Sequence, residues 1–409
     1  MQRTFLSAVS LSLLVLGTAA CQPRTVVAVA EASEVEPAAP APTEERVAQA
    51  DPTREVEALP APGEAAPEDS SAGDPVAPAE GADDAAPTTD RASALARAFA
   101  DLPQDPAPPE IIRNSHYWVS NESSHFLFRD RIRDIGGAYI GVGTDQNYLL
   151  AGWARSEFII MMDFDQQIAW THALYGIAFA AAATPADFLA IWRDQGDLRF
   201  ADLVPAAVED AERQRVLLRA FQWGGPTVSA RLRRLVRQYT ELGIDIFVTS
   251  QAEYDWIRDM WARGQVVAVR GDLTADVAMQ EIAHRLHQHS MPVGLVYTSN
   301  AEQYFDFVPS FRRNFLVLPF AETSFVARTR PMASLGLAPG DEYHYSLQPG
   351  RNFQLWMQGS SVLNAQRLMR QRSSTGVEGL SIIDRPLPED ATPPRIAEAR
   401  WPEDLWPGP

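Results

Sequence analysis

Four short stretches of this 409-residue chain hold the residue types that could do chemistry. The first is Gly141-Val-Gly143-Thr-Asp145-Gln146-Asn147. A glycine turn of this kind lets a ligand approach the backbone, and a helix starting after it offers unpaired N–H groups. The second holds Asp163 and Asp165, and Asp163 lies 22 residues after Gly141. That is near the spacing at which an acid in a nucleotide fold meets a ribose hydroxyl. Asp272, in Gly271-Asp272, is a further acceptor, and Asn300, Glu302 and Tyr304 form a polar run beyond Ser299. Asn300, Glu302 and Tyr304 are the candidates for catalysis, and Glu302 with Asp145 would make an acid–base pair. Each stretch also has a purely structural reading: tight turns need glycine, and Asp or Asn caps helices.

These turns matter only if the elements before them bring them together. Apolar runs at Gly136 to Val142, Phe158 to Met162, Ile244 to Thr249, Val266 to Val269 and Val293 to Thr298 read as strands. Phe315 to Leu318 and Tyr343 to Trp356 supply later ones. Helices are expected over Tyr148 to Arg155, Ile168 to Ala183, Pro185 to Trp192, Pro205 to Phe221, Ser229 to Leu242, Ser250 to Arg263, Thr274 to His289 and Ala301 to Phe311. Ser250-Gln-Ala-Glu253 fits a capping box, and Thr274 stands as a cap. Strands alternating with helices predict an α/β fold: a Rossmann-like, doubly wound, mostly parallel sheet with helices on both faces and a helical insertion. Ligands of such sheets bind outside the carboxyl ends of the strands, where the strand order reverses. All four polar turns would then face one crevice.

Other chemistries find less support. There is no Gly-x-Ser-x-Gly elbow, Walker-type phosphate loop or His-Glu-x-x-His helix. His284, His287 and His289 lie close together, but no cysteine or acid completes a metal set, so no metal is expected. The net charge of −18 argues against nucleic acid as a partner. Arg231, Arg233, Arg234 and Arg237 have helical spacing and read as a solvated helix face.

The front of the chain is different in kind. A basic start, an apolar run from Phe5 to Leu16 and small residues before Cys21 read as a secretory signal over residues 1–21. Thr18-Ala19-Ala20-Cys21 resembles the lipobox of bacterial lipoproteins, which implies lipidation of Cys21, anchorage to a membrane and a place in the bacterial cell envelope. Cys21 is the only cysteine, so no internal disulfide can form. Residues 22–108 carry about 18 acidic and 5 basic side chains and few large apolar ones. Such a tract cannot bury enough surface to order itself and reads as a disordered tether, with a weak helix around Arg91 to Phe99. The folded domain is expected over 109–384, followed by a Pro-rich tail over 385–409.

The segments Ser120-Asn-Glu-Ser123, Gly137 to Asn147, Met162-Asp163, Val269-Arg-Gly-Asp272 and Tyr297 to Tyr304 together resemble S-adenosylmethionine-dependent methyltransferases of Rossmann-like fold. They resemble more closely a bacterial group with that fold and no settled activity. The resemblance implies that Gly141, Gly143, Asp145, Gln146 and Asn147 approach the methionine part of S-adenosylmethionine, that Asp163 binds ribose, and that Asp272 lies by adenine. Asn300 to Tyr304 would face the transfer site. Tyr139 stands where the methyltransferases carry an acid in the first strand, and Asp145 replaces the third glycine of their motif. Three functions are in play: a small-molecule-binding protein with no chemistry of its own, a methyltransferase-like enzyme, and a hydrolase using Glu302 and Asp145. Export would separate the domain from a methyl donor made in the cytoplasm, which favours the binding protein.

Overall fold

The computed structural model describes residues 88–111, 115–359 and 362–386. The expected signal peptide, Cys21, the part of the expected tether up to residue 87 and the expected tail from 387 lie outside the described residues. The strands are β1 (Ala138–Val142), β2 (Phe158–Asp163), β3 (Val266–Arg270), β4 (Val293–Tyr297), β5 (Phe320–Arg330), β6 (His344–Pro349), β7 (Ser373–Ser374) and β8 (Leu380–Ile382). The helices are α1 (Thr88–Ala98), α2 (Arg129–Ile132), α3 (Gln146–Ala154), α4 (Gln166–Ala181), α5 (Pro185–Trp192) and α6 (Phe200–Ala207). They continue with α7 (Ala211–Glu241), α8 (Gln251–Ala262), α9 (Ala278–Gln288), α10 (Pro309–Leu316), α11 (Gly350–Gln358) and α12 (Ala365–Leu368).

All eight strands form one sheet in the order β3-β2-β1-β4-β5-β6-β8-β7. The first five are mutually parallel and β6 turns back antiparallel on β5. The order reverses between β1 and β4, the switch point of a doubly wound, Rossmann-like fold. The central strands are apolar on both faces, as a sheet covered on both sides requires. Tyr139, Ile159, Met161, Leu295 and Tyr297 face one core with α3 to α8. Ile140, Ile160, Met162, Val269 and Val296 face the other with α9 to α11. Glycine allows the closest approach in the sheet. The β1–β4 register slips between Ala138 and Tyr139, and a Cβ on Gly294 would collide with the Gly136 carbonyl.

Several sequence expectations are corrected here. The expected helices over 205–221 and 229–242 divide differently: residues 205–207 end α6, and α7 runs unbroken for 31 residues from Ala211 through Gly224-Gly225-Pro226. A Cβ on Gly224 or Gly225 would strike Trp118 or Phe221, so these glycines serve close packing rather than a break. Ile244 to Thr249 is a turn, not a strand, closed by Thr249 Oγ1 accepting from Ile246 N at 3.0 Å. Ser250 makes no side-chain cap, and Glu253 instead pairs with Arg155 at 2.8 Å. Thr274 does not cap α9. The helix begins at Ala278, and Asp105 accepts from Val277 N and Ala278 N. Ala301–Gln303 is one 3-10 turn, and the helix follows only at Pro309. Phe315 to Leu318 ends α10 rather than making a strand, and Tyr343 to Trp356 holds β6 and then α11.

The expected tether also ends too late. Residues before 109 belong to the fold: Leu95 and Phe99 are buried, and the rings of Phe99 and Phe158 lie 4.8 Å apart. Arg270 Nε donates to the Asp105 carbonyl at 2.9 Å. The Ala-rich, Pro-flanked composition of this stretch concealed two buried anchors. Among the described residues, no helix is long and apolar enough to cross a membrane.

Candidate functional site

The carboxyl ends of β1, β2, β3 and β4 open into one cavity of about 280 Å³. Val142 to Thr144, Asp163 to Asp165, Gly271 to Thr274 and Ser299 to Ala301 line it, so the four polar turns of the sequence do converge. A strap before β1, with Glu110, Tyr117 and Ser120 to Glu122, makes another wall, and Gln146, Ile168, Tyr304 and Phe305 complete the lining.

The glycine turn is built from inside. Gly143 has φ +94°, a conformation that side chains rarely adopt. His172, on α4, holds this turn: its Nε2 lies 2.8 Å from the Gly143 carbonyl, and its Nδ1 lies 3.0 Å from the Tyr148 hydroxyl. Burial pushes His172 down to about 4, against the pull of that carbonyl, so the ring is neutral and donates from Nε2. Gln146 lines the cavity, its amide spanning the turn from Thr144 N (3.2 Å) to the Val142 carbonyl (3.0 Å).

Asp163 sits at the end of β2, nearly buried, accepting from Asp165 N at 2.9 Å. Burial, with Asp165 and Asp272 as anionic neighbours, pushes its carboxyl up to about 7, even though Asp165 N and Gly143 N bond to it. Asp165 caps α4 by accepting from Gln167 N at 2.9 Å and meets His116 Nδ1 at 2.6 Å. Asp272 closes the turn after β3, its Oδ1 accepting from Thr274 N and Oγ1 at 2.7 Å each. Across the cavity, Asn300 donates to the Tyr343 hydroxyl at 3.1 Å, and Tyr304 stands half exposed.

Four sequence candidates lie elsewhere. Gly141 does not line the cavity; a Cβ there would lie 2.6 Å from the Tyr139 hydroxyl, which donates to Asn147 at 2.7 Å. Asn147 is therefore a buried partner of Tyr139. Asp145 is fully buried, 2.8 Å from Arg231 Nε, and it accepts from Ser120 N. Arg231 is thus a buried ion-pair partner, not part of a solvated face. Glu302 turns away to Thr298 Oγ1 (2.7 Å) and Arg328 Nε (3.1 Å). With both carboxylates tied to buried arginines outside the cavity, Glu302 and Asp145 cannot form an acid–base pair at a substrate.

Sequence reasoning missed the residues that hold the site in shape. Glu122, on the strap, gathers the hydroxyls of Ser299 (2.6 Å), Thr329 (2.7 Å), Tyr297 (3.2 Å) and Ser120 on one carboxylate. It thereby restrains Ser299, which lines the cavity at φ +52°. His125 lies beside this hub with Nε2 3.0 Å from the Tyr297 hydroxyl, and burial pushes it down to about 4. Only the Ser120-Asn-Glu-Ser123 segment signalled the hub in advance. Among the described residues, no group of three or more His, Cys, Asp or Glu side chains is arranged to hold a metal. His287 instead contacts the Val317 carbonyl, and His284 contacts Gln288.

No curated protein matches this chain. A family model described as a domain of unknown function (DUF7790) matches residues 117–384, from the strap through the last strand. That is more than half of the chain, and the protein belongs to this family.

Proposed function

We propose that this domain is a small-molecule-binding module carried on an exported lipoprotein. Its ligand is nucleoside-like or another small polar molecule, and S-adenosylmethionine serves as the probe of that pocket rather than as the ligand an exported domain would meet. The observation that carries this reading is the meeting of four strand-end turns in one cavity at the switch point, with Asp163 and Asp272 on neighbouring strand ends. Two carboxylates so placed suit the hydroxyl and amino groups of a nucleoside. Binding without chemistry is favoured over methyl transfer because the candidate catalytic set is depleted: Glu302 is committed to Arg328, leaving only Asn300 and Tyr304 at the cavity. Titration calorimetry of the full chain with S-adenosylmethionine and S-adenosylhomocysteine tests the reading. Saturable binding of either supports it, and no heat with both removes the nucleoside assignment. Anchorage through Cys21 predicts that Cys21→Ser moves the protein from the membrane fraction to the soluble one. A mutant that stays with salt-washed membranes contradicts the lipid anchor.

A further inference from the structure

We infer that the cavity selects its ligand by charge, taking a small molecule with a cationic group and several hydrogen-bond donors and excluding phosphate-bearing ones. This rests on the cavity being the ligand site and adds the ligand's chemical class. The lining includes five carboxylate residues, Glu110, Glu122, Asp163, Asp165 and Asp272, and neither arginine nor histidine. Three carboxamides also line the cavity, and Gln146 spends its amide within the glycine turn. Asn121 and Asn300 both direct their Nδ2 groups to the Tyr343 hydroxyl, which leaves their carbonyl oxygens as acceptors.

A Rossmann-like fold ordinarily receives phosphate at helix N-termini, where free N–H groups meet the positive end of the dipole. Here amides at or just before three helix starts are already taken by the chain's own oxygens. At the start of α3, Thr144 N donates to Gln146 Oε1 at 3.2 Å. At α4, Gln167 N donates to Asp165 Oδ1. Before α9, Asp105 is buried and accepts from Asp272 N (2.9 Å), Val277 N (3.1 Å) and Ala278 N (3.2 Å). At α4 and α9 a carboxylate thus sits where an anionic ligand group would have to bind. An incoming phosphate would meet five acids with neutral hydroxyl and amide donors in place of its hydration, whereas a cation would relieve the repulsion among them.

The cation has a measurable consequence. Asp163 holds its proton near neutrality because it is buried and faces Asp165 and Asp272, with Glu122 and Glu110 on the strap beyond and His116 taken up by Asp165. A bound cation favours the carboxylate, so binding at pH 7 expels a proton from Asp163.

The test uses the full chain and four probes: S-adenosylmethionine, adenosine, adenosine monophosphate and agmatine. Affinities are measured by calorimetry at pH 7 in two buffers of different ionisation heat. We expect S-adenosylmethionine to bind at least about tenfold more tightly than adenosine. It should release protons to the buffer, and adenosine monophosphate should give no binding. Binding of agmatine alone would keep charge selection and remove the nucleoside reading. Monophosphate binding as tight as S-adenosylmethionine would overturn charge selection and leave the nucleoside reading standing. Silence from all four overturns both.

Discussion

Asp145 Oδ2 lies 2.8 Å from Arg231 Nε, and the two residues, 86 apart in sequence, are both buried. The pair joins the glycine turn to the long helix α7, and Arg231 also reaches the Glu122 carbonyl at 3.0 Å. It is a brace behind the cavity. Removing one partner leaves a buried, uncompensated charge. Arg231→Met should therefore cost about 3–5 kcal/mol in urea denaturation. The double variant Asp145→Asn with Arg231→Met should recover much of that loss. A single variant within about 1 kcal/mol of the parent would show that the brace carries no weight.

Asp163 and two histidines give the fold opposing responses to pH. Asp163 titrates at about 7 in the folded chain against 3.8 in a free side chain, so its protonation stabilises the fold as pH falls through that window. His125 and His172 titrate at about 4 against 6.5, so their contribution is full above pH 6.5 and is lost as pH falls towards 4. Asp163→Asn should be more stable than the parent at pH 8, by at most about 4 kcal/mol, and equal to it near pH 4. Its stability should also fall more steeply between pH 6.5 and 4. Parallel curves for parent and variant would contradict the raised Asp163.

Gly294 sits where β4 slips register against β1. Because a Cβ would meet backbone, at the Gly136 carbonyl, no side-chain rotation can relieve the clash. Gly294→Ala should destabilise the chain by more than about 3 kcal/mol, measured by urea midpoint, because it pries apart the two strands that frame the switch point. An unchanged midpoint would mean the β1–β4 crossing tolerates adjustment.

The alternation of strands and helices, and the polar turns closing four of the strands, were readable because both follow from local sequence pattern. Asp163, Asp272, Gly143, Gln146, Asn300 and Tyr304 reach the cavity for that reason. Asp145, Asn147 and Glu302 do not, because a strand-end turn places some side chains into the cavity and others behind it. Which way each points depends on partners far away in sequence: Arg231 for Asp145, Tyr139 for Asn147, Arg328 for Glu302. In the basic run Arg233, Arg234 and Arg237 are exposed as expected, and Arg231 alone departs, since helical spacing says nothing of the strap that buries it. Asp105 stayed hidden because its function is to accept from backbone groups more than 160 residues later.

The central claim is that Asp163 and Asp272 face one ligand. Calorimetric titration of S-adenosylmethionine into the parent chain, Asp163→Asn and Asp272→Asn tests it most directly. Each substitution keeps the size and one acceptor oxygen while removing the charge. Each should weaken binding by about 1.5–3 kcal/mol, roughly tenfold to a hundredfold, with circular dichroism unchanged. Equal affinity in all three proteins would place the ligand elsewhere and contradict the account.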